Sequence, residues 1–149
     1  MLWRRGGDEV SDDNSRLDRE AVHRFLATEA YWCQGIPRTT LDRAIDHSLC
    51  FGLYRGGRQA GFARVVTDRA TYAYLCDVYI DPALRGAGLG TWLVDCVVAH
   101  PELQGLRRFC LMTRDAHALY ARFGFQAMPE PSRYMEVHVP DVYRRKVPA

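Results

Sequence analysis

The stretch Asp77-Val78-Tyr79-Ile80-Asp81-Pro82-Ala83-Leu84-Arg85-Gly86-Ala87-Gly88-Leu89-Gly90 decides the fold of this chain. A β-run ends at Asp81-Pro82, a tight loop comes next, and a helix begins inside the glycines. Leu89, Leu93, Cys96 and Val97 give that helix an apolar stripe, which His100-Pro101 closes. Glycines let a backbone approach a ligand closely with its N–H groups turned outward. A helix start adds unpaired donors and the positive end of the macrodipole, so the junction suits a phosphate or pyrophosphate. A strand-to-helix turn can also need glycine for its own geometry, and both readings stand. Two familiar phosphate loops do not fit. A P-loop would end in Gly-Lys-Ser/Thr, and a dinucleotide fingerprint opens on a parallel strand with an acid about 20 residues on.

Working outward, the upstream sequence reads as a meander. Leu49–Tyr54 and Gln59–Val66 are β-rich runs joined by Arg55-Gly56-Gly57-Arg58, a strong hairpin signal. Thr67-Asp68-Arg69 is a second turn, and Thr71–Ile80 is a third run. Earlier, Val22, Phe25, Leu26 and Ala30 recur at helical spacing over Asp18–Tyr31, behind a capping-box-like Ser15-x-x-Asp18. A shorter helix passes through Leu41, Ala44 and Ile45. Residues 1–14 are polar and expected to fray, ending in a short strand near Glu9–Asp12. Downstream, Phe109–Met112 reads as a strand, Ala116–Phe123 as a helix stopped by Gly124, and Phe125–Met128 and Tyr134–Val139 as closing strands.

Composition limits what this frame can do. The 149 residues fit one domain over 1–149, large enough to bury roughly 68–70% of its unfolded surface. A formal charge of +2 is too small for a nucleic-acid binder, and Arg144-Arg145-Lys146 reads as a solvated tail. No apolar run approaches the ~20 residues of a membrane span, and residues 1–16 lack the apolar region of a secretory signal. Five cysteines, Cys33, Cys50, Cys76, Cys96 and Cys110, are scattered without a C-x-x-C pair, which suits a reducing cytoplasm. His23, His47, His100, His117 and His138 show no ligand spacing, so no metal is expected.

Arg85-Gly86-Ala87-Gly88-Leu89-Gly90 resembles the Arg/Gln-x-x-Gly-x-Gly/Ala signature of the GNAT superfamily of N-acetyltransferases. Val78-Tyr79-Ile80-Asp81-Pro82 is similar to that family's strand into the signature. Ala116-His117-Ala118-Leu119-Tyr120-Ala121-Arg122-Phe123-Gly124-Phe125 resembles its second motif, which usually ends Tyr-x-x-x-Gly-Phe. The two motifs stand in the right order and separation, and the resemblance covers about Leu49–Val139. It implies an α+β, three-layer fold: a mixed, mostly antiparallel sheet of six to seven strands flanked by about four helices.

The resemblance also implies an acetyl-CoA site. Backbone amides from Arg85 through Gly86, Ala87, Gly88, Leu89 and Gly90, with Thr91 in the first helical turn, would hold the pyrophosphate. The strand at Val78 and Ile80 would pair with the pantetheine arm, in a V-shaped slot between this strand and Phe109–Met112. Thr113 stands where many members carry an asparagine that contacts pantetheine. Tyr120 occupies the place of the family's tyrosine beside the CoA sulfur; a phenol with a pKa near 10 can protonate the leaving thiolate. Asp77 could bind a substrate ammonium, relay its proton through water, or serve as a structural ion pair. Tyr74 stands near the glutamate base of the histone-acetylating branch, a departure that argues against histone-type chemistry.

Acceptor recognition in this family comes largely from the segment between the first two helices, here Tyr31-Trp32-Cys33-Gln34-Gly35-Ile36-Pro37-Arg38. Tyr31 and Trp32 could wall the acceptor, with Tyr74 nearby, and Arg38 could attract an anionic group. The expected activity is acetyl transfer from acetyl-CoA to a primary amine of a small molecule by direct attack. Protein N-terminal or lysine acetylation is the alternative within the enzyme class, and a non-catalytic acyl-CoA-binding module is the alternative outside it. Family members often form homodimers, and Tyr134–Val139 leaves that state open.

Overall fold

The structure, a computed structural model, describes residues 1–145; Lys146 of the basic tail lies outside the described residues. One six-stranded sheet runs in chain order, β1 (Leu2–Arg5), β2 (Asp8–Ser11), β3 (Leu49–Arg55), β4 (Arg58–Thr67), β5 (Tyr72–Ile80) and β6 (Arg108–Leu111). All neighbours are antiparallel except β5 and β6. Helices α1 (Arg19–Thr28) and α2 (Arg38–Asp46) cover one face, and α3 (Leu89–Val98) covers the other, with α4 (His117–Ala121) after β6. The fold is α+β with a mixed, mostly antiparallel sheet.

Strand alternation builds two cores. On β3, Leu49, Phe51 and Leu53 meet Leu89, Leu93 and Val97 of α3, while Cys50 faces the other way. Beneath α1 and α2 the second core joins Val22, Leu26, Leu41 and Ile45 to Cys50 and Phe62. The Gly56-Gly57 hairpin forms as its sequence predicts: both residues take positive φ, 57° and 79°, as a two-residue primed turn requires.

The N-terminal residues, expected to fray, form the β1–β2 hairpin instead. Its polar side chains find partners: Arg55 grips Asp8 through two N–H donors at 2.8 and 2.9 Å. The Met1 ammonium donates to Asp12 at 2.7 Å, and buried His100 donates Nε2–H to the same carboxylate at 2.8 Å. Its Nδ1 accepts from Glu102 N–H, which fixes the tautomer. The cap of α1 is also not the expected one. Asp18 accepts from Ala21 N–H at 3.0 Å, while Ser15 sits in a preceding single turn capped by Asp13.

The expected closing strands Phe125–Met128 and Tyr134–Val139 are not strands. Gly124, at φ 90°, turns the chain off α4, and Phe125 packs edge-on against Phe109 at 5.2 Å instead of entering a ladder. Pro129, Pro131 and Pro140 interrupt the C-terminal segment, and Met135 and Val137 are 90% and 97% exposed. The outermost pairing at the far edge, β1 with β2, comes from the N-terminus. No helix is long and apolar enough to cross a membrane among the described residues.

The β4–β5 turn rests on Asp68, whose carboxylate accepts from the Thr71 hydroxyl and from the N–H groups of Ala70, Thr71 and Tyr72. The Thr71 hydroxyl, then these backbone donors, hold its pKa far below the ordinary 3.8. A carboxyl lowered in the folded state stabilises fully above its unfolded pKa and loses that contribution as pH falls toward the folded one. Asp68→Ala is therefore expected to lower Tm at pH 7, with the gap to the parent closing as pH drops below about 3.8. Thermal melts at pH 7 and pH 2 check this; a gap that stays constant would refute it.

Candidate active site

The site opens where two strands part. β5 and β6 pair only from Tyr72↔Arg108 to Leu75↔Leu111, so among the described residues the rest of β5 has no strand partner on that side. On its other edge β5 carries a bulge: Phe62 faces Tyr79 and Arg64 faces Cys76, leaving two β5 residues opposite Ala63. Asp77 takes the extra place at φ 54°, a left-handed conformation that Asp tolerates better than most residues. The bulge inverts the alternation. Ala73 and Leu75 face the α3 core before it, whereas Val78 and Ile80 face it after, and Tyr79 turns to the α1 side.

An open cleft of about 690 Å³ fills the gap between the strands. One end is the glycine loop. Asp81 caps a single turn at Pro82–Leu84 by accepting from Ala83 N–H, and Arg85 donates Nε–H to Ile80 C=O at 3.1 Å. Gly86 and Gly88 take φ 87° and 78°, and Gly88 is the N-cap of α3 with no side chain to offer. The first intrahelical bond runs from Trp92 N–H to Gly88 C=O at 3.1 Å. The N–H groups of Leu89, Gly90 and Thr91 therefore precede the helix ladder and face the cleft end, with a helix dipole behind them.

Across the slot stands Tyr120, on α4, half-buried and edge-on to Phe125 at 6.1 Å. Burial raises its phenol above the ordinary 10.0 and keeps it protonated at neutral pH. The other end of the cleft is aromatic. Phe25 stacks on Tyr79 with centroids 3.9 Å apart, and Tyr31 meets Trp32 edge-on at 5.0 Å. The guanidinium of Arg114 lies 3.8 Å from the Tyr31 ring centre, linking the loop after β6 to the loop after α1. Trp32 donates Nε1–H to Asp77 at 2.8 Å, and Arg64 donates Nε–H to the other carboxylate oxygen at 2.8 Å. Burial works against the Arg64 charge, and its neighbours together, Asp77 foremost, more than offset that and hold the guanidinium charged.

The sequence-predicted residues divide accordingly. Val78, Ile80, Arg85, Gly86, Gly88, Leu89, Gly90, Thr91, Tyr120, Tyr31 and Trp32 line the cleft. Asp77 stands behind Trp32 with both oxygens engaged. Ala87 is exposed outside the lining, between the two positive-φ glycines. Thr113 turns its hydroxyl oxygen to Ala116 N–H at 3.0 Å and braces the entry to α4. Arg38 pairs with Asp42 one turn along α2 and does not reach the cleft. Tyr74 sits upstream of the bulge, where β5 is still paired on both sides, and burial pushes its phenol up to about 12. Cys33 and Cys76 are likewise pushed up to about 12 by burial, then by the Asp77 charge, so neither thiol is ionised at neutral pH.

Sequence reasoning missed Phe25, Glu29, Ala30, Tyr79, Asp115, Ala116 and Leu119 in the lining. Phe25 and Glu29 are four apart at the end of α1, so helical spacing could have put them on one face. Tyr79 needed the bulge, which the sequence does not announce.

Residues 19–125 match the model of the "Acetyltransferase (GNAT) family". A Gibberella zeae protein named "Putative acetyltransferase" is 34% identical over 142 residues, spanning 80% of this chain and 79% of its own. The chloroplastic "Serotonin N-acetyltransferase 2" of Oryza sativa is 28% identical over 138 residues, 87% of this chain and 66% of its own. The crystal structure of "a putative acetyltransferase belonging to the gnat family" from Xanthomonas campestris is 52% identical. It superposes with a TM-score of 0.91 over 93% of this chain and 97% of its own.

Proposed function

The chain belongs to the GNAT family of acetyltransferases, and from that premise we propose that it transfers the acetyl group of acetyl-CoA to a primary amine of a small molecule by direct attack. That it is an acyltransferase using acetyl-CoA comes with the family; the acceptor class is our reading. The observation that carries it is the shape of the acceptor end. Four rings, Phe25, Tyr79, Tyr31 and Trp32, line this end of the open cleft, with the Arg114 guanidinium 3.8 Å from the Tyr31 ring centre, a compact surface that suits the body of a small amine. The rice relative named for serotonin is compatible with a small amine.

In this reading the amides of Leu89, Gly90 and Thr91 and the loop from Arg85 to Gly88 hold the pyrophosphate. Main-chain groups of Val78 and the N–H of Ile80, beyond the part of β5 that β6 covers, face the pantetheine arm. The neutral amine attacks the thioester carbonyl carbon, a C–N bond forms, and the C–S bond breaks as the tetrahedral adduct collapses. Tyr120 gives its proton to the departing thiolate, and the amine's surplus proton passes through water to restore the phenol. Thr113, Arg38 and Tyr74 have no place in this scheme. Asp77 acts through Trp32 and not as a base, because its oxygens already accept from Trp32 and Arg64.

Calorimetry with acetyl-CoA, followed by a thiol-release screen over amines, amino acids and peptides, tests the proposal. Binding with release by small amines is expected; release by peptides alone would overturn it. Gly88→Ala tests the loop. An L-residue at φ 78° costs about 1–2 kcal/mol, and relief of that strain turns the N–H donors away. The Kd for acetyl-CoA should rise about tenfold, and Tm should fall by no more than about 2–8 °C. An unchanged Kd would remove the loop from the site.

A further inference from the structure

The acceptor loop, residues 29–37, is braced by a part of the chain that does not line the cleft. Ile36 N–H donates to Cys33 C=O at 3.1 Å, closing a β-turn directly after Trp32. Its third residue, Gly35, takes φ 81°, the value that a type II turn requires there. Gly35 N–H donates back to Ala27 C=O at 2.9 Å, and His23 donates Nε2–H to Ile36 C=O at 2.8 Å. These bonds tie the β-turn to α1. The same glycine also meets the far end of the chain. A Cβ built on Gly35 would lie 3.1 Å from the Tyr143 carbonyl oxygen and 3.6 Å from Arg144 Cγ. Position 35 therefore needs glycine twice, for its φ and for the close approach of a carbonyl.

The chain reaches Gly35 by an exposed span. From Met135 to Val139 no main-chain N–H finds a partner among the described residues. Beyond the span the chain turns on itself. Val142 N–H donates to Val139 C=O at 3.2 Å, and the N–H groups of Arg144 and Arg145 donate to Asp141 C=O at 2.9 and 3.1 Å. Arg145 adds an ion pair with Asp141 at 3.3 Å. Ordering residues at the end of an unpaired span costs conformational entropy. The turn therefore needs a surface to rest on, and Gly35 is part of that surface. Arg144, which the sequence reads as solvated tail, lays its stem against the loop that carries Tyr31 and Trp32.

We propose that the C-terminal turn, residues 139–145, is a positioning element for the acceptor: its Tyr143 carbonyl rests on Gly35 and holds the β-turn that sets where Tyr31 and Trp32 stand. This rests on the acetyl-transfer reading above, in which those two rings meet the amine. The loop has two ties at the cleft, Trp32 to Asp77 and Tyr31 to Arg114. Tyr143 and Arg144 supply a third support at Gly35. Lifting the turn lets the β-turn pivot about its bond to Ala27 and carries both rings out of place. Acetyl-CoA is held by the glycine loop and β5, so its affinity does not depend on this support.

Three full-length variants test this. Asn tolerates a positive φ but carries a Cβ, so Gly35→Asn keeps the β-turn and crowds the Tyr143 carbonyl. Gly105→Asn is its control, because Gly105 takes φ 70° with nothing within 4 Å of a built Cβ. Arg144→Pro disturbs the same support without touching the loop. Proline removes the N–H that Asp141 C=O accepts and disfavours a helical turn at Tyr143, so the carbonyl swings away. Thiol release from saturating acetyl-CoA is followed with 2-phenylethylamine, ethanolamine and putrescine, and KM is read on each amine that the parent turns over. Gly35→Asn and Arg144→Pro should each raise the amine KM about tenfold, with kcat changed by less than about threefold. The Kd for acetyl-CoA should stay parental in both, and Gly105→Asn should match the parent throughout. A KM rise in only one of the two variants or in neither, an equal rise in Gly105→Asn, or a matching rise in the Kd for acetyl-CoA would overturn the inference while leaving acetyl transfer intact. Acetyl-CoA binding with no amine turned over by the parent, in this panel or in the screen above, would overturn the small-amine reading and this inference with it.

Discussion

Replacing Tyr120 by Phe is expected to lower kcat by about 10²- to 10⁴-fold, the usual worth of one positioned acid. Acetyl-CoA affinity should stay within about twofold, since the ring that packs edge-on to Phe125 is kept and only the hydroxyl is removed. The effect should appear in kcat and kcat/KM together, because the proton is given only as the C–S bond breaks. The parent's pH profile offers a second readout. Burial raises the Tyr120 phenol above 10.0, so the acid form persists to higher pH than a free phenol would allow. The midpoint of the alkaline fall in kcat should therefore lie above that of a free phenol in the parent, and the fall should vanish in the variant. A Tyr120→Phe enzyme turning over at the parental rate would remove the acid role.

Arg64→Met is expected to give the largest loss of stability. Arg64 and Asp77 are 18% and 8% exposed, paired at 2.8 Å, and Arg64 also donates to the Ser48 hydroxyl at 3.1 Å. Removing one member of a buried pair strands the other charge, which costs about 3–5 kcal/mol. For a chain of this size that is a drop in Tm of roughly 6–20 °C. The damage should reach function as well, because Asp77 carries Trp32 and sits at the bulge that turns Tyr79 to the acceptor end. The double variant Arg64→Met with Asp77→Asn should recover part of the Tm, since the stranded charge is gone and an amide oxygen remains for Trp32. Thermal melts of the two single variants and the double form the cycle. Additive losses would mean that the pair is not coupled.

The helices and the central meander were legible because each rests on local physics. Two glycines fix the β3–β4 hairpin, and apolar residues at helical spacing mark α1, α2 and α3. Elements whose stability comes from distant partners were not legible. Residues 2–11 form strands because Arg55 waits for Asp8, His100 for the adjoining Asp12, and the core for Val10. Tyr134–Val139 alternates in a way that suggests a strand, yet nothing pairs with it among the described residues. A strand is a relation between two segments, and its own sequence states only half of it.

The site divides along the same line. By itself the sequence determined the glycine loop, the start of α3 and the position of Tyr120, since each is set by spacing within one segment. Only the tertiary structure decided that Asp77 is an anchor held by Arg64 and Trp32, and that Glu29 and Tyr79 join the aromatic end of the cleft. Those outcomes depend on a bulge that shifts the side-chain alternation by one residue, and on contacts between groups 13 to 45 positions apart. Local spacing carries no record of either.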